Sequence, residues 1–179
     1  MIIGAGSRQM RFPEGFFPTE GFVKQVHPLF VRSLYLGGED PFVLVSVEMT
    51  SLSEEECSSL RKKLAAQLKV NKDRIWIAAT HTFSAPHILP DMALKTVEEK
   101  EQRRILRGIL EEAALGAAKE AQKSASEKDL WLYSGQTRVM ACRDLLLPEG
   151  WWIGCGGEGP SDKTVSVLEI SENKERRAL

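Results

Sequence analysis

FVLVSVEMTSLSEEECSSLRKKLAAQLKVNKDRIWIAA, residues 42–79, is the stretch that decides the fold. It opens with a mostly apolar run, FVLVSVEM, which is typical of a buried central strand. Ser53 then precedes Glu56 by three residues, the spacing of a capping box, so we expect a helix that continues to about Leu68. Arg74 to Ala79 is the next apolar run and predicts a second strand. A strand, a helix and a strand joined in this way predict a parallel βαβ unit and therefore an α/β fold.

The flanking sequence predicts that this unit belongs to a mixed sheet with helices packed on it. Leu29–Leu36 is strand-like, and Gly37-Gly38-Glu39-Asp40-Pro41 between it and the βαβ unit is a hairpin signal. Val97–Gln122 repeats apolar residues at helical spacing, which predicts a long second helix. Dense glycine and proline predict loops elsewhere. The remaining expected elements are strands at 2–6, 130–137 and 164–170 and loops over 11–28 and 144–163.

The composition is that of an ordinary globular protein. The length of the chain favours a single domain over residues 1–179. The chain is 42% hydrophobic and 27% charged, with a formal net charge of −1. No overall field therefore favours nucleic acid or an anionic membrane surface. No apolar run reaches the ~18 residues of a transmembrane helix. Three cysteines without C-x-x-C spacing argue against a disulfide framework, so we expect a reduced, cytoplasmic compartment.

ATHTFSAPH, Ala79–His87, follows the second strand of the βαβ unit and carries two of the three histidines. Open α/β sheets place their sites at the carboxyl ends of parallel strands. Neutral imidazole is a good zinc ligand, and nearby hydroxyl groups can hold its second nitrogen. A hydrogen-bonded loop is the alternative for His81 and His87, because no H-E-x-x-H or similar ligand motif accompanies them. Three histidine ligands would require His27 to converge with both.

Two further features each have two interpretations. Arg32 lies in a strand that is apolar on both faces, so we expect it to be partly buried and to need a carboxylate or carbonyl partner. It could bind an anionic group or pair with Glu48. Trp151-Trp152 could line a ligand cleft, although a packed surface loop is the favoured interpretation.

The order of these segments resembles the N-terminal part of the neutral/alkaline, non-lysosomal ceramidase family. RIWIAATHTFSAPH (Arg74–His87) is similar to that family's ATHTHSAPG block, and HPLFVRSLYL (His27–Leu36) is similar to its PLYARAL strand. LVSVEM, with Glu48, resembles its hydrophobic strand that ends in an acidic residue. The segments ACRD and DKTVSVLEI echo its NRR and D..V.VL segments. Members of the family are zinc-dependent amidohydrolases that cleave the N-acyl bond of ceramides.

The resemblance implies a Zn²⁺ cofactor with His81 as a ligand. Phe83 stands where the family has the second histidine of its block, and His87 replaces a position usually held by glycine. His87 is therefore the candidate to replace the missing histidine, and Arg32 is the second candidate catalytic residue. The family's other ligands lie further along its sequence, so we expect this chain to correspond to the first third of such a catalytic domain.

The resemblance also implies a small-molecule or lipid-like amide as substrate. A truncated sheet should expose a strand edge, so we expect a homo-oligomer or a partner chain that completes the sheet. The alternative function is a non-catalytic α/β domain that keeps the fold and acts by binding or association. The missing ligands favour that alternative directly.

Overall fold

The computed structural model describes residues 1–155, 159–172 and 175–177. These residues fall into two compact units, Met1–Glu127 and Lys128–Leu179. A single domain over 1–179 stays a prediction, and each unit is described by itself.

The first unit is a mixed sheet with two helices, as the sequence predicts for an α/β fold. Its strands lie in the order β4-β3-β2-β1-β5. β3 and β4 are parallel, whereas β2 pairs with β1 and β3 in antiparallel fashion. The predicted hairpin and βαβ unit are therefore confirmed. The strands are β1 (Ile2–Met10), β2 (Leu29–Leu36), β3 (Phe42–Val47), β4 (Ile75–Ala79) and β5 (Ser126–Glu127), and the helices are α1 (Glu54–Leu68) and α2 (Val97–Lys123).

Both helices begin at side-chain caps. The Ser53 hydroxyl accepts the backbone N–H of Glu56 at the start of α1, which confirms the predicted cap. Thr96 and Glu99 form a complete capping box at the start of α2. A cap of this kind satisfies N–H groups that have no partner within the helix.

The inner side of α2 lies very close to β1. A stripe of leucine and alanine side chains is buried along α2, and small side chains let a helix approach a sheet closely. Glycine is needed opposite, because a Cβ atom on Gly4 would lie 1.9 Å from the Ala121 carbonyl oxygen. The strand also extends to Met10, beyond the predicted end at Gly6, and lies between β2 and β5.

The second unit consists of two small antiparallel sheets. The first has the order β10-β9-β6, and the second is a hairpin of β7 and β8. The predicted strands at 130–137 and 164–170 are confirmed, but the loop predicted over 144–163 is wrong for β7 and β8. Pro148 and Glu149 form the turn between the strands, and Gly150 follows them with a positive φ of 125°, while Gly154 lies beyond β8. The part of the predicted loop at 156–158 lies outside the described residues. The strands are β6 (Asp129–Gln136), β7 (Asp144–Leu147), β8 (Gly150–Ile153), β9 (Thr164–Glu172) and β10 (Glu175–Arg177).

In the described part of the chain, neither α1 nor α2 has an apolar stretch long enough to cross a bilayer.

Candidate functional site

His81 lies at the carboxyl end of the parallel strand pair, where the sequence predicts a site. The chain continues past the end of β4 and stays bonded to the end of β3. The backbone N–H of Thr80 donates to the Val47 carbonyl oxygen at 2.9 Å, and that of His81 donates to the Met49 carbonyl oxygen at 3.0 Å. These two bonds fix the position of the His81 backbone at the edge of the sheet.

The backbone carbonyl of Thr50 holds the imidazole ring of His81. The Nδ1 atom of His81 lies 2.6 Å from that carbonyl oxygen. A carbonyl oxygen can only accept, so Nδ1 carries the proton and Nε2 carries the lone pair of the neutral ring. The buried Thr50 hydroxyl in turn donates to the Thr82 carbonyl oxygen at 2.6 Å. A carbonyl that holds one imidazole nitrogen is typical of metal-ligating histidines, because it orients the other nitrogen.

The backbone of His81 adopts a conformation that favours glycine. Its φ is 60°, in the left-handed region that few non-glycine residues occupy. Such conformations cost on the order of 1–3 kcal/mol and cluster at functional sites. Phe83 packs edge-on against the His81 ring, with 5.1 Å between ring centroids, and is 71% exposed. An apolar ring therefore stands beside His81 at the position where the family has its second histidine.

His87 has a carboxylate partner in place of a carbonyl. Its Nδ1 atom lies 2.6 Å from Oε2 of Glu20, and its backbone N–H lies 3.1 Å from both oxygens of the same carboxylate. Glu20 therefore fixes the ring with Nδ1 as the donor and Nε2 as the remaining nitrogen. A cavity of about 120 Å³ lies beside the pair, with Thr19, Gln102 and Leu106 among its lining residues.

Arg32 is exposed, so the prediction of partial burial is wrong. Its neighbours Val31 and Ser33 on β2 are buried, and side chains alternate along a strand, so Arg32 lies on the opposite face. Its guanidinium pairs with the Glu48 carboxylate, whose Oε2 atom accepts the backbone N–H of Phe30 at 2.8 Å. The predicted ion pair with Glu48 is thus present, and a catalytic role for Arg32 stays a prediction.

The described contacts give His81, His87 and Arg32 separate partners and do not join them in one cluster. Within residues 1–155, 159–172 and 175–177, no group of three or more histidine, cysteine, aspartate or glutamate side chains is arranged to hold a metal ion. The described residues therefore show no complete metal site, and His81 is the one residue that the sequence predicts as a zinc ligand. The roles of His81, His87 and Arg32 stay predictions.

Two residues of this region have no place in the sequence-based prediction. Thr50 follows the end of β3, so it lies at the same edge of the sheet as His81. Its position after a predicted strand could have identified Thr50 as a site residue. Glu20 lies in the loop over 11–28, far from His87 in sequence, and no sequence pattern connects the two. Only the folded loop brings that carboxylate to the imidazole.

Comparison with known proteins gives matches to solved structures only. The sequence matches no protein-family model and no curated protein. The structure of neutral ceramidase from Pseudomonas aeruginosa matches with a TM-score of 0.71 and 16% identity, over 97% of this chain and 30% of that one. A ceramidase complexed with C2 matches with a TM-score of 0.70 and 17% identity, over 96% of this chain and 29% of that one.

This chain has the fold of part of a neutral ceramidase. The resemblance stated from the sequence is confirmed at the level of the fold. The chain spans about 30% of the length of the ceramidase structures that it matches.

Proposed function

We propose that this chain forms part of a metal-dependent amide hydrolase of the ceramidase type, to which it contributes one ligand, Nε2 of His81. The observation that carries the proposal is the hydrogen bond between Nδ1 of His81 and the Thr50 carbonyl oxygen. That bond leaves Nε2 as the nitrogen with a lone pair. The ceramidase-like fold and the exposed position of His81 at the strand ends support the same role.

Zinc, when bound, supplies a Lewis acid for an amide carbonyl and lowers the pKa of its bound water toward about 7. The contribution of this chain is to orient the ligand. The Thr50 carbonyl accepts a hydrogen bond from the His81 ring and so fixes its orientation. The Thr50 hydroxyl donates to the Thr82 carbonyl oxygen and so holds the chain that follows His81. A catalytic zinc site needs three protein ligands, so within this proposal a further segment or a partner chain supplies the others.

The proposed substrate is a small or lipid-like amide. It follows from the ceramidase-like fold and from the family resemblance of the ATHTFSAPH block, with hydrolysis of an N-acyl bond as the reaction. Within this proposal His87 acts as a base or a ligand only through Nε2, because Glu20 occupies Nδ1. Arg32 keeps its predicted role only if it can exchange Glu48 for an anionic group.

A non-catalytic binding domain is the second candidate function. Phe83 favours it, because an exposed phenylalanine stands where the family has a histidine. The lack of a three-residue ligand cluster in the described part of the chain points the same way. In that case the strained His81 turn would serve only to join the ends of β3 and β4.

Imidazole NMR of the 179-residue chain tests the metal-ligand role. At neutral pH we expect His81 to show the tautomer with the proton on Nδ1. On titration with Co²⁺ we expect paramagnetic broadening of the His81 ring signals at lower metal concentration than those of His27. His27 lies exposed in the loop over 11–28 and serves as the control within the same chain.

The variants His81→Ala and His27→Ala complete the test. Loss of the tightest Co²⁺ response in His81→Ala, with that response retained in His27→Ala, supports the proposal. If His81 and His27 broaden at the same metal concentration, the hydrogen bond to Thr50 does not prepare His81 as a ligand, and the observation that carries the proposal loses its force. That result would favour the non-catalytic domain.

A further inference from the structure

Two of the three cysteines lie in the second unit, on either side of the hairpin of β7 and β8. Cys142 comes two residues before β7, and Cys155 comes two residues after β8. Both thiols are free; Cys155 is exposed and Cys142 is half-buried. Their spacing in the sequence matches no cysteine motif, so only the hairpin relates the one to the other.

The pairing of the two strands continues beyond their ends. Asp144 and Ile153 form the pair at the open end of the hairpin. One step further, the backbone N–H of Gly154 donates to the Arg143 carbonyl oxygen at 2.7 Å. The Arg143 side chain adds a bond from its Nε to the Gly154 carbonyl oxygen at 3.0 Å. The next two residues in this register are both cysteines.

The alternation of an antiparallel ladder decides how these cysteines face each other. Hydrogen-bonded pairs alternate with pairs that exchange no backbone bond. Arg143 and Gly154 share a backbone bond, so Cys142 and Cys155 take a position of the second kind. Such a position brings two Cα atoms to about 4.5 Å and points both side chains to one face. A disulfide spans Cα atoms about 4.4–6.8 Å apart, so this position suits one.

A close contact with Gly159 places the same residues together without reference to the register. A Cβ atom on Gly159 would lie 2.7 Å from Sγ of Cys142 and 3.2 Å from its Cβ atom. The chain therefore meets residues 142–143 twice, at Gly154 through the backbone bond and at Gly159 through this contact. Cys155 directly follows the first of these points, so its backbone stays beside Cys142.

We propose that Cys142 and Cys155 form a redox-responsive disulfide site whose oxidant is a low-molecular-weight disulfide of the glutathione type. The thiolate of the exposed Cys155 attacks one sulfur of glutathione disulfide, forms a mixed disulfide and releases one glutathione thiolate. The Cys142 thiolate then attacks the Cys155 sulfur and releases the second glutathione. In sum, the two protein thiols lose two electrons and two protons, and glutathione disulfide becomes two glutathione thiols.

The cross-link closes the open end of the hairpin. It joins the chain just before β7 to the chain just after β8, so the two strands can no longer separate from that end. We therefore expect oxidation to slow the opening of this exposed hairpin. The inference goes beyond the proposed function, because it concerns neither the metal ligand nor the amide.

Cys57 supplies a control within the same chain. It lies in α1 of the first unit, and no other cysteine occurs in residues 1–127. Burial raises the pKa of the Cys57 thiol, which lowers its fraction of reactive thiolate at neutral pH. We expect glutathione disulfide to leave Cys57 reduced while the other two cysteines join.

Mass spectrometry after thiol trapping tests the proposal on the 179-residue chain. The chain is equilibrated with mixtures of reduced (GSH) and oxidised (GSSG) glutathione, either folded or in urea, then quenched with acid and alkylated. We expect one internal disulfide between the peptides of Cys142 and Cys155, with Cys57 alkylated. The fold holds the two thiols together, so the ratio [GSH]²/[GSSG] at half-oxidation should be at least about tenfold higher in the folded chain than in urea.

Single serine variants identify the sulfur atoms that react. Cys142→Ser and Cys155→Ser should each lose the internal disulfide and form only a mixed disulfide with glutathione. Cys57→Ser is the matched control and should form the internal disulfide like the parent chain. In the oxidised parent chain the amides of β7 and β8 should exchange more slowly, whereas in Cys142→Ser the oxidant should not change them. Circular dichroism checks that the variants fold, and the comparison of folded and unfolded parent chain needs no variant.

Four results would overturn the proposal. Half-oxidation at the same ratio in the folded and the unfolded chain would show that the fold does not bring the thiols together. A disulfide that includes Cys57 or links two chains would assign the pairing elsewhere. A folded chain that stays reduced, or holds only mixed disulfides, would show that the two sulfur atoms do not meet. Amides of the hairpin that exchange equally fast before and after oxidation would show that the cross-link does not hold the strands. None of these results depends on whether His81 binds metal.

Discussion

The two units of this chain differ in how far their apolar side chains are buried. In the first unit, Val43, Val45 and Val47 of β3 are completely buried between neighbouring strands and helices. In the second unit, Ile170 and Ser171 are the buried residues of the part that the structure describes, while the leucines of β7 and the tryptophans of β8 are exposed. An apolar strand therefore predicts an element that has to be covered, and the cover can lie inside or outside its own unit.

Amide hydrogen exchange should give the largest difference between the units. Slow exchange requires an opening of the core, whereas an uncovered hairpin opens at little cost. At low protein concentration we expect the amides of β3 to exchange several orders of magnitude more slowly than those of β7 and β8. Mass spectrometry of peptic fragments measures both in one experiment. Equal protection of the two regions would show that the second unit has a core of its own.

Replacing a leucine by alanine in each unit should give the next largest difference, measured as the loss in the free energy of unfolding. Leu64 of α1 is completely buried, so Leu64→Ala should lower the free energy of unfolding by about 2–5 kcal/mol. Leu146 is 62% exposed, so Leu146→Ala should change it by less than about 0.5 kcal/mol in the monomer. Urea unfolding at low protein concentration measures both values. A large loss in Leu146→Ala would mean that the hairpin is packed within the monomer.

Replacing a glycine by alanine in each unit tests how closely the neighbouring elements pack against that glycine. A Cβ atom on Gly6 would lie 2.2 Å from the Ala117 carbonyl oxygen of α2, so β1 and α2 must separate in Gly6→Ala. We expect a loss of about 1–3 kcal/mol in the free energy of unfolding. Gly135 of β6 has no atom within 4 Å of its added Cβ, so Gly135→Ala should be neutral or slightly stabilising. Similar losses in the two variants would contradict this packing difference.

Local sequence rules predict most of the first unit. The Ser53 cap, the apolar stripe of α2 and the short connection between β2 and β3 each depend on residues close in sequence. These features were sufficient to predict the βαβ unit and to place His81 at the carboxyl end of a parallel strand.

Features that depend on distant contacts could not be predicted in this way. LFVRSLYL is apolar on both faces, so its pattern does not show which face α2 covers, and the exposure of Arg32 depends on that choice. The bond between Glu20 and His87 joins two loops that only the tertiary fold brings together. In the hairpin of β7 and β8, Pro148 and Gly150 indicate a loop, but they lie at the turn between two short strands.

The smallest expected effect concerns the ion pair between Glu56 of α1 and Arg107 of α2 in the first unit. Burial raises the pKa of Glu56, but hydrogen bonds from Ser53 and Arg107 and the charge of Arg107 outweigh it, so the pKa is lowered from its usual 4.5. A carboxyl with a lowered pKa stabilises the fold above pH 4.5, and this contribution is lost as pH falls through the folded pKa.

Glu56→Gln should therefore remove part of the acid dependence of stability and cost on the order of 1 kcal/mol or less at neutral pH. Ser53→Ala removes one of the hydrogen bonds that lower this pKa and should weaken the acid dependence less than Glu56→Gln does. Urea unfolding from neutral pH to below pH 4.5 measures the change. If the free energy of unfolding of Glu56→Gln depends on acid pH as strongly as that of the parent chain, other carboxylates cause this dependence. The ion pair between Glu56 and Arg107 would then contribute little to the packing of α1 against α2, and the buried apolar side chains would account for most of it.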